Sequence, residues 1–137
     1  MKKTVKSMVD EATAAITTYS IEEARDLHGR EDVQFIDIRD VRELERDGVI
    51  PGAFHAPRGM LEFWACDESP YHKKVFAEGK QLVLFCAAGW RSALATKTLQ
   101  DMGLERVAHI DGGFSAWKTA GAPVAEKAAK ADKPKQA

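Results

Sequence analysis

Residues 82–92 have the sequence LVLFCAAGWRS, and this stretch decides the fold. Its first four residues are apolar without alternation, which is typical of a parallel strand that is covered on both faces. Gly89 allows a tight turn, and we predict a helix that starts at Ser92, runs to Met102 and stops at Gly103. A buried strand followed by a short loop and a helix is the repeating unit of an open α/β fold.

The same alternation continues on both sides of this stretch. The predicted strands cover residues 16–19, 33–38, 54–56, 82–85 and 106–110. The predicted helices cover residues 5–12, 20–29, 40–48, 61–64, 70–77, 92–102 and 114–119, the second and third with their caps. We therefore predict one α/β domain, an open parallel sheet flanked by helices on both faces.

Composition excludes several classes of protein. The chain has 137 residues, enough for about one domain, and its hydrophobic fraction of 45% and charged fraction of 30% are those of a globular protein. A net charge of −1 disfavours a nucleic-acid partner held by a basic face. No run approaches the roughly 18 apolar residues of a membrane span, and Met1–Asp10 lacks the apolar core of a signal peptide. We expect a cytoplasmic protein that contacts neither nucleic acid nor membrane.

The chain is predicted to divide into three parts. Residues 1–15 form an amphipathic helical extension, residues 16–125 the α/β domain, and residues 126–137 a disordered basic tail with too little apolar material to order itself. The apolar stripe of the extension consists of Val5, Met8, Val9 and Ala12. Because a lone helix of this length is marginal in water, we expect the stripe to pack on the same domain. A monomer or a weak dimer is the expected assembly.

Cys86 is the residue to which the fold prediction directs attention. In open parallel sheets, ligands bind beyond the carboxyl ends of the strands, and Cys86 stands at such an end. Backbone N–H groups of the following turn, the start of the helix and the charge of Arg91 all favour an anion there. An ordinary thiol is only about 3% ionised at pH 7, and these surroundings favour the thiolate, which is the nucleophile. The competing interpretation is an inert cysteine buried at a strand end.

Neither a metal nor a cofactor is expected. The chain has two cysteines, Cys66 and Cys86, no C-x-x-C or H-E-x-x-H pattern, and four scattered histidines. A disulfide between Cys66 and an oxidised Cys86 stays open, because a sequence does not give the distance between two sulfurs.

Four segments in a fixed order resemble the rhodanese-type sulfurtransferases. The loop CAAGWRS at 86–92 resembles the family's active-site pattern C-x-x-G-x-R followed by Ser or Thr. FIDIR at 35–39 with Glu43 resembles the D-x-R…E segment, GVIPGAFHAP at 48–57 resembles G-H-I-P-G-A with Val49 in place of the usual His, and DGGFSAW at 111–117 resembles G-G-x-x-x-W. The resemblance extends from about residue 18 to residue 124. It implies a single-domain, rhodanese-like fold.

The resemblance also implies a chemistry. In the family, a thiolate takes the outer sulfur of a donor such as thiosulfate, becomes a persulfide and passes the sulfur to a nucleophilic acceptor. Carried over, Cys86 is the nucleophile and sulfur carrier, and Arg91 binds the donor's sulfonate oxygens. The backbone amides that would stabilise the thiolate and the persulfide belong to Ala87, Ala88, Gly89, Trp90, Arg91 and Ser92. The partners are then a small-molecule sulfur donor and acceptor, or a protein acceptor if the chain serves as a sulfur relay.

Four further side chains are candidates near this site. We interpret Asp37 and Arg39, at the end of a strand, as a structural ion pair or turn contact. Arg58 either binds a sulfonate or is a solvated surface residue. Trp90 either shapes the mouth of the loop or contacts a partner.

Two other functions are alternatives to sulfur transfer. Cysteine-based phosphatases and some arsenate reductases share this fold but use C-x5-R, whereas four residues separate Cys86 from Arg91 here. The shorter loop fits their larger oxyanions poorly. Rhodanese-like domains that lack the cysteine serve as docking modules, and the presence of Cys86 speaks against that function.

Overall fold

The computed structural model describes residues 1–128. The strands of this part are β1 (Thr17–Tyr19), β2 (Val33–Asp37), β3 (Phe54–His55), β4 (Gln81–Phe85) and β5 (Val107–Ile110). The α-helices are α1 (Val5–Ala15), α2 (Ile21–Leu27), α3 (Val41–Asp47), α4 (Leu61–Ala65), α5 (Trp90–Met102) and α6 (Gly113–Thr119), and 3₁₀ turns occur at Arg58–Met60 and Lys74–Ala77. No helix within residues 1–128 combines the length and the apolar character that crossing a membrane requires.

All strands of the sheet run parallel, in the order β1-β5-β4-β2-β3. The chain leaves β2 toward one edge, where β3 lies, and leaves β4 toward the other edge, where β5 and β1 lie. The carboxyl ends of β2 and β4 therefore flank the point at which the winding reverses, which is where open α/β sheets bind ligands. The predicted open parallel sheet is confirmed.

Side chains of β4 alternate between two apolar layers, which explains why its sequence is apolar throughout. Leu82 and Leu84 face the layer that α4 and α5 complete, and Val83 and Phe85 face the layer that α2 and α6 complete. Trp117 of α6 is fully buried in the second layer. Helices thus cover both faces of the sheet, as predicted, and hold β4 rigidly at its centre.

The N-terminal helix α1 packs on the outside of α5. Val9 and Ala12 are buried against Ala93 of α5, whereas Val5 and Met8 are 54% and 42% exposed. The expected packing on the same domain is therefore confirmed for half of the predicted stripe. The division of the chain after residues 15 and 125 stays a prediction, and most of the expected tail, residues 129–137, lies outside the described residues.

The predicted helix at residues 70–77 is wrong in its first half, since only the 3₁₀ turn at Lys74–Ala77 forms. Ser69 Oγ accepts a hydrogen bond from the backbone N–H of Tyr71 at 3.0 Å, and Lys73 has extended backbone angles. A serine hydroxyl that binds a nearby backbone N–H in this way competes with helix formation.

Helix α5 starts two residues earlier than predicted, at Trp90. Gly89 takes the cap position with a φ of +118°, a backbone conformation that favours glycine. Ser92, the predicted start, is buried within the first turn, so its hydroxyl faces the interior instead of capping the helix.

Candidate active site

Cys86 follows the carboxyl end of β4 and is held against the first turn of α5. Its Sγ accepts hydrogen bonds from the backbone N–H groups of Gly89 at 3.1 Å and of Ser92 at 3.4 Å. The 13 residues of α5 place the positive end of the helix dipole at the same point. Two N–H donors and a helix N-terminus around one sulfur stabilise negative charge on that sulfur.

The outer face of the loop is formed by exposed side chains, while the sulfur itself is covered. Cys86 is 1% exposed, whereas Trp90 is 52% exposed and Ala88 and Arg91 are also exposed. Of the backbone amides predicted to face the sulfur, those of Gly89 and Ser92 donate to it in this structure. The remaining predicted loop residues, Ala87, Ala88, Trp90 and Arg91, complete the turn around it.

The turn between β5 and α6 supports the loop from behind. The N–H groups of Phe114 and Ser115 donate to the carbonyl oxygens of Cys86, at 2.8 Å, and of Ala87, at 3.0 Å. Gly113 has a φ of +59°, and a Cβ atom at this position would collide with the carbonyl oxygen of Cys86. Residue 113 must therefore be glycine, both for its backbone conformation and for the close approach of the loop.

Arg91 is anchored by a second helix. Its Nη1 and Nη2 each donate to a carboxylate oxygen of Glu43 at 2.9 Å, which ties the start of α5 to the first turn of α3. This ion pair lowers the pKa of Glu43 and raises the pKa of Arg91, and the charge of Cys86 contributes to the second shift. The guanidinium predicted to bind the donor thus lies within electrostatic reach of the sulfur and already has a carboxylate partner. The sequence showed Glu43 only as a capping and motif residue.

Asp37 and Arg39 form a buried ion pair beside the loop. Arg39 Nη2 lies 2.7 Å from Asp37 Oδ2, and the side chains are 1% and 2% exposed for Arg39 and Asp37 respectively. Arg39 Nη2 also donates to the carbonyl oxygen of Gly48 at 2.9 Å, and the guanidinium lies 4.0 Å from the centre of the Phe114 ring. The pair therefore joins the end of β2 to the end of α3 and to α6, which is the geometry of a structural brace.

Ser92 and His109 form a polar contact that sequence reasoning missed. Ser92 Oγ lies 3.6 Å from Cys86 Sγ and 2.9 Å from Nδ1 of His109. His109 is 4% exposed, and burial lowers its pKa, while the charge of Asp111 opposes this shift. The available signal was a polar ring inside the otherwise apolar strand VAHI, but only the parallel pairing of β4 and β5 brings that ring to the start of α5.

Arg58 has a local carboxylate partner, and its predicted contact with the donor stays a prediction. Its Nη1 donates to Glu62 at 2.7 Å, one turn along the chain. Arg58 also lines a groove between α1 and α5, together with Met8 and Leu94. A local carboxylate partner has fixed its direction, which the sequence spacing of four residues allows.

Cys66 lies at the other end of α5. It lines a cavity of about 310 Å³ together with Met102 and Leu104, where α5 ends. Because α5 rises by about 18 Å along its length, the sulfurs of Cys66 and Cys86 are too far apart for a disulfide. Neither here nor elsewhere in residues 1–128 do three or more His, Cys, Asp or Glu side chains group as a metal site requires.

These features define a class of protein: an α/β domain that presents a cysteine between a central parallel strand and a helix N-terminus. The family model of the rhodanese-like domain matches residues 20–120. The chain belongs to the rhodanese-like domain family, and the resemblance inferred from its motifs is confirmed.

The individual proteins similar to this chain include two sulfurtransferases and one solved structure of unknown function. A solved structure from Rhodopseudomonas palustris, described as a protein of unknown function and possible tyrosine phosphatase, is 54% identical, with a TM-score of 0.89 over 91% of this chain and 96% of that one. A sulfurtransferase of Allochromatium vinosum is 31% identical over 69% of this chain and 79% of the relative. A thiosulfate sulfurtransferase of Pseudoalteromonas translucida is 31% identical over 74% of this chain and 88% of the relative. Some curated relatives are much longer than this chain, and the match to one of them covers only 26% of that relative's length.

Proposed function

We propose that this protein moves a sulfane sulfur from thiosulfate, or from a persulfide donor, to a nucleophilic acceptor through a persulfide on Cys86. Membership of the rhodanese-like family supports sulfur transfer as the general class, and the donor is the more specific part of the proposal. The main observation in its support is the position of the Cys86 sulfur, which accepts hydrogen bonds from the backbone N–H groups of Gly89 and Ser92 at the start of α5.

The first half-reaction requires a sulfur anion and stabilisation of negative charge. The Cys86 thiolate attacks the outer sulfur of thiosulfate, the sulfur–sulfur bond of the donor breaks, and sulfite leaves with the bonding electron pair. Cys86 then carries a persulfide with a negative terminal sulfur. The backbone N–H groups at the start of α5 stabilise the charge before and after this step. Attack by the thiolate form needs no separate general base.

The second half-reaction returns the enzyme to its starting state. An acceptor such as cyanide attacks the terminal sulfur of the persulfide, the sulfur–sulfur bond on Cys86 breaks, and its electron pair returns to Sγ as thiolate. The product with cyanide is thiocyanate. In this scheme Cys86 is the group that forms and breaks bonds.

Arg91 is proposed to bind the sulfonate oxygens of the donor without losing Glu43. A guanidinium has five N–H donors, and the structure uses two of them for Glu43. The side chain of Arg91 is 43% exposed, which leaves donors available at the outer face of the loop. An anionic donor that approaches Cys86 therefore meets this charge.

Intact-mass spectrometry after treatment with thiosulfate tests the proposal. The wild-type chain and the control variant Cys66→Ser should gain one sulfur atom that a reductant removes, and added cyanide should release it as thiocyanate. Cys86→Ser should gain none. A sulfur gain in Cys86→Ser, or no gain in the wild type, would overturn the proposal.

A phosphatase is the second candidate, because the 54% identical structure is described as a possible tyrosine phosphatase. One feature weighs against it: four residues instead of five separate Cys86 from Arg91. An aryl phosphate assayed beside thiosulfate discriminates between the two functions. Hydrolysis that depends on Cys86, without a sulfur gain from thiosulfate, would establish the phosphatase.

The proposal also includes the sulfur acceptor, the cellular compartment and the oligomeric state. A protein acceptor would find an aromatic contact at the mouth of the loop in the exposed Trp90, whereas a small thiophilic molecule needs none. A cytoplasmic setting is part of the proposal. A monomer or weak dimer remains the proposed assembly.

A further inference from the structure

We infer that His109 is a positioning residue for Cys86: its Nδ1–H donates to Ser92 Oγ, which leaves the single hydroxyl hydrogen of Ser92 free to point at the sulfur anion. The inference deepens the proposed function and rests on it, since it takes Cys86 as the reacting group. His109 does not touch the sulfur and acts through Ser92.

The tautomer of His109 follows from the partners of its two ring nitrogens. Nδ1 lies 2.9 Å from Ser92 Oγ, whereas Nε2 is buried and has no hydrogen-bond partner within residues 1–128. A neutral imidazole carries one N–H, and a buried N–H without a partner is rarer than a buried acceptor without one. The proton therefore belongs on Nδ1, and Ser92 Oγ is its acceptor.

The groups around the ring keep it neutral. Burial lowers the pKa of His109, and Asp111 in the following turn is the charged group whose field opposes this. The neighbouring strands pair Thr18 of β1 and Leu84 of β4 with His109, and α5 contacts the ring through Ser92. Helix α1 packs on α5 through apolar residues. Ser92 Oγ lies within hydrogen-bond distance of both Cys86 Sγ and the ring.

The hydroxyl of Ser92 has one hydrogen and two lone pairs to distribute. One lone pair accepts from His109, so the hydrogen goes either to the carbonyl oxygen of Gly89, at 3.3 Å, or to Cys86 Sγ, at 3.6 Å. While Cys86 is a thiol, its S–H donates to the second lone pair and the hydroxyl donates to Gly89. When the thiol loses its proton to solvent, the hydroxyl turns to the thiolate, because an ionised acceptor forms a hydrogen bond roughly twice as strong as a neutral one.

Three variants in a Cys66→Ser background separate this positioning role from a packing role. His109→Phe keeps an aromatic ring but removes the donor, His109→Asn keeps an amide N–H near the position of Nδ1, and Ser92→Ala removes the hydroxyl. The measurement is the rate at which iodoacetamide alkylates Cys86 as a function of pH, followed by intact mass.

The midpoint pH of alkylation should rise by about one unit in Ser92→Ala, the size expected for one hydrogen bond to an ionised group. It should rise measurably but by less in His109→Phe, which keeps the hydroxyl and loses the donor that orients it. The midpoint in His109→Asn should stay close to that of the protein with His109. The double variant His109→Phe with Ser92→Ala should have the same midpoint as Ser92→Ala alone. An unmoved midpoint in His109→Phe, or an equal rise in His109→Asn, would overturn the inference.

Two features of the design keep the outcome decisive. Alkylation needs no sulfur donor, so the His109 effect is measured whether or not thiosulfate loads Cys86, and failure of one proposal is distinguishable from failure of the other. If His109→Phe does not fold, the ¹⁵N chemical shifts of His109 in the unsubstituted protein report the tautomer directly. A proton on Nδ1 supports the inference, and a proton on Nε2 overturns it.

Discussion

The two cysteines of this chain lie at opposite ends of α5 and differ in the surroundings that govern thiol chemistry. Cys86 is 1% exposed, and its sulfur accepts two backbone N–H groups at the N-terminal end. Cys66 is half-buried and lines an open cavity of about 310 Å³ at the C-terminal end, beside Met102. The covered thiol thus lies at the positive end of the helix dipole and the more accessible one at the negative end. The comparison teaches that groups able to stabilise a sulfur anion, and not exposure alone, mark a candidate nucleophile.

Exchanging each cysteine for serine tests the comparison most directly and has the largest expected effect. Cys86→Ser should reduce transfer of sulfur from thiosulfate to cyanide to background, because no other sulfur lies at the helix N-terminus. Cys66→Ser should retain most of the activity. Thiocyanate formation measures the activity of both variants. A comparable loss in the two would contradict the difference between the cysteines and indicate a dithiol mechanism.

The second test disturbs the support of the Cys86 loop and leaves both sulfurs in place. Gly113→Ala should lower the free energy of unfolding by about 2 to 4 kcal/mol and reduce sulfur transfer strongly, because the new Cβ collides with the carbonyl of Cys86 and the φ is positive. Gly121→Ala is the matched control, since φ is +78° there but a Cβ meets open space. It should cost about 1 kcal/mol and leave activity intact. Chemical denaturation and the thiocyanate assay measure the two effects, and equal losses would contradict a role for close approach.

The third test concerns Arg91, the charged residue in the first turn of α5. Arg91→Ala should lower kcat/KM for thiosulfate roughly ten- to a hundredfold, mostly through KM, because a charge-assisted contact to the donor is worth about 1.5 to 3 kcal/mol. Glu43→Gln removes the competing carboxylate and should lower KM, by up to about fivefold, the range of a partly exposed ion pair. Steady-state kinetics with thiosulfate measures kcat and KM separately. An unchanged KM in Arg91→Ala would mean that the guanidinium serves Glu43 alone.

The smallest expected effect is on the pH dependence of stability, and it comes from His109. Burial lowers the pKa of His109, so the unfolded chain binds the proton first as the pH falls below about 6.5. Stability should therefore be complete above that pH and decline as the pH falls toward the lower pKa of the folded protein. His109→Asn should flatten this decline. Urea denaturation at about pH 7.5 and pH 5.5 measures the difference, and an identical decline in His109→Asn would assign it to another group.

Much of the fold could be predicted from local patterns. The apolar run ending at Phe85, the capping boxes that start at Ser20 and Asp40, and the stop at Gly103 correspond to elements of the structure. The segment before Lys74 could not be predicted in this way. The hydroxyl of Ser69 accepts a hydrogen bond from the backbone N–H of Tyr71, in the segment that was expected to be helical. Local propensity was overridden there by one side-chain contact.

The candidate site divides in the same way. Cys86, Gly89 and Ser92 are close in sequence, so strand, turn and helix signals were enough to bring them together around one sulfur. The direction of a long side chain was not predictable, and the partner of Arg58 in the structure, Glu62, was not expected. A flexible, charged side chain takes the partner that the folded surface offers.

By itself the sequence determined that a cysteine would stand between a buried strand and a helix N-terminus, because each of those signals is local. Only the tertiary structure decided that Glu43 would hold Arg91, that Gly113 would support the Cys86 carbonyl and that His109 would reach Ser92. These partners are distant in sequence and belong to different elements. Their meeting depends on strand order and register, which are set by the packing of the whole sheet and not by any single segment.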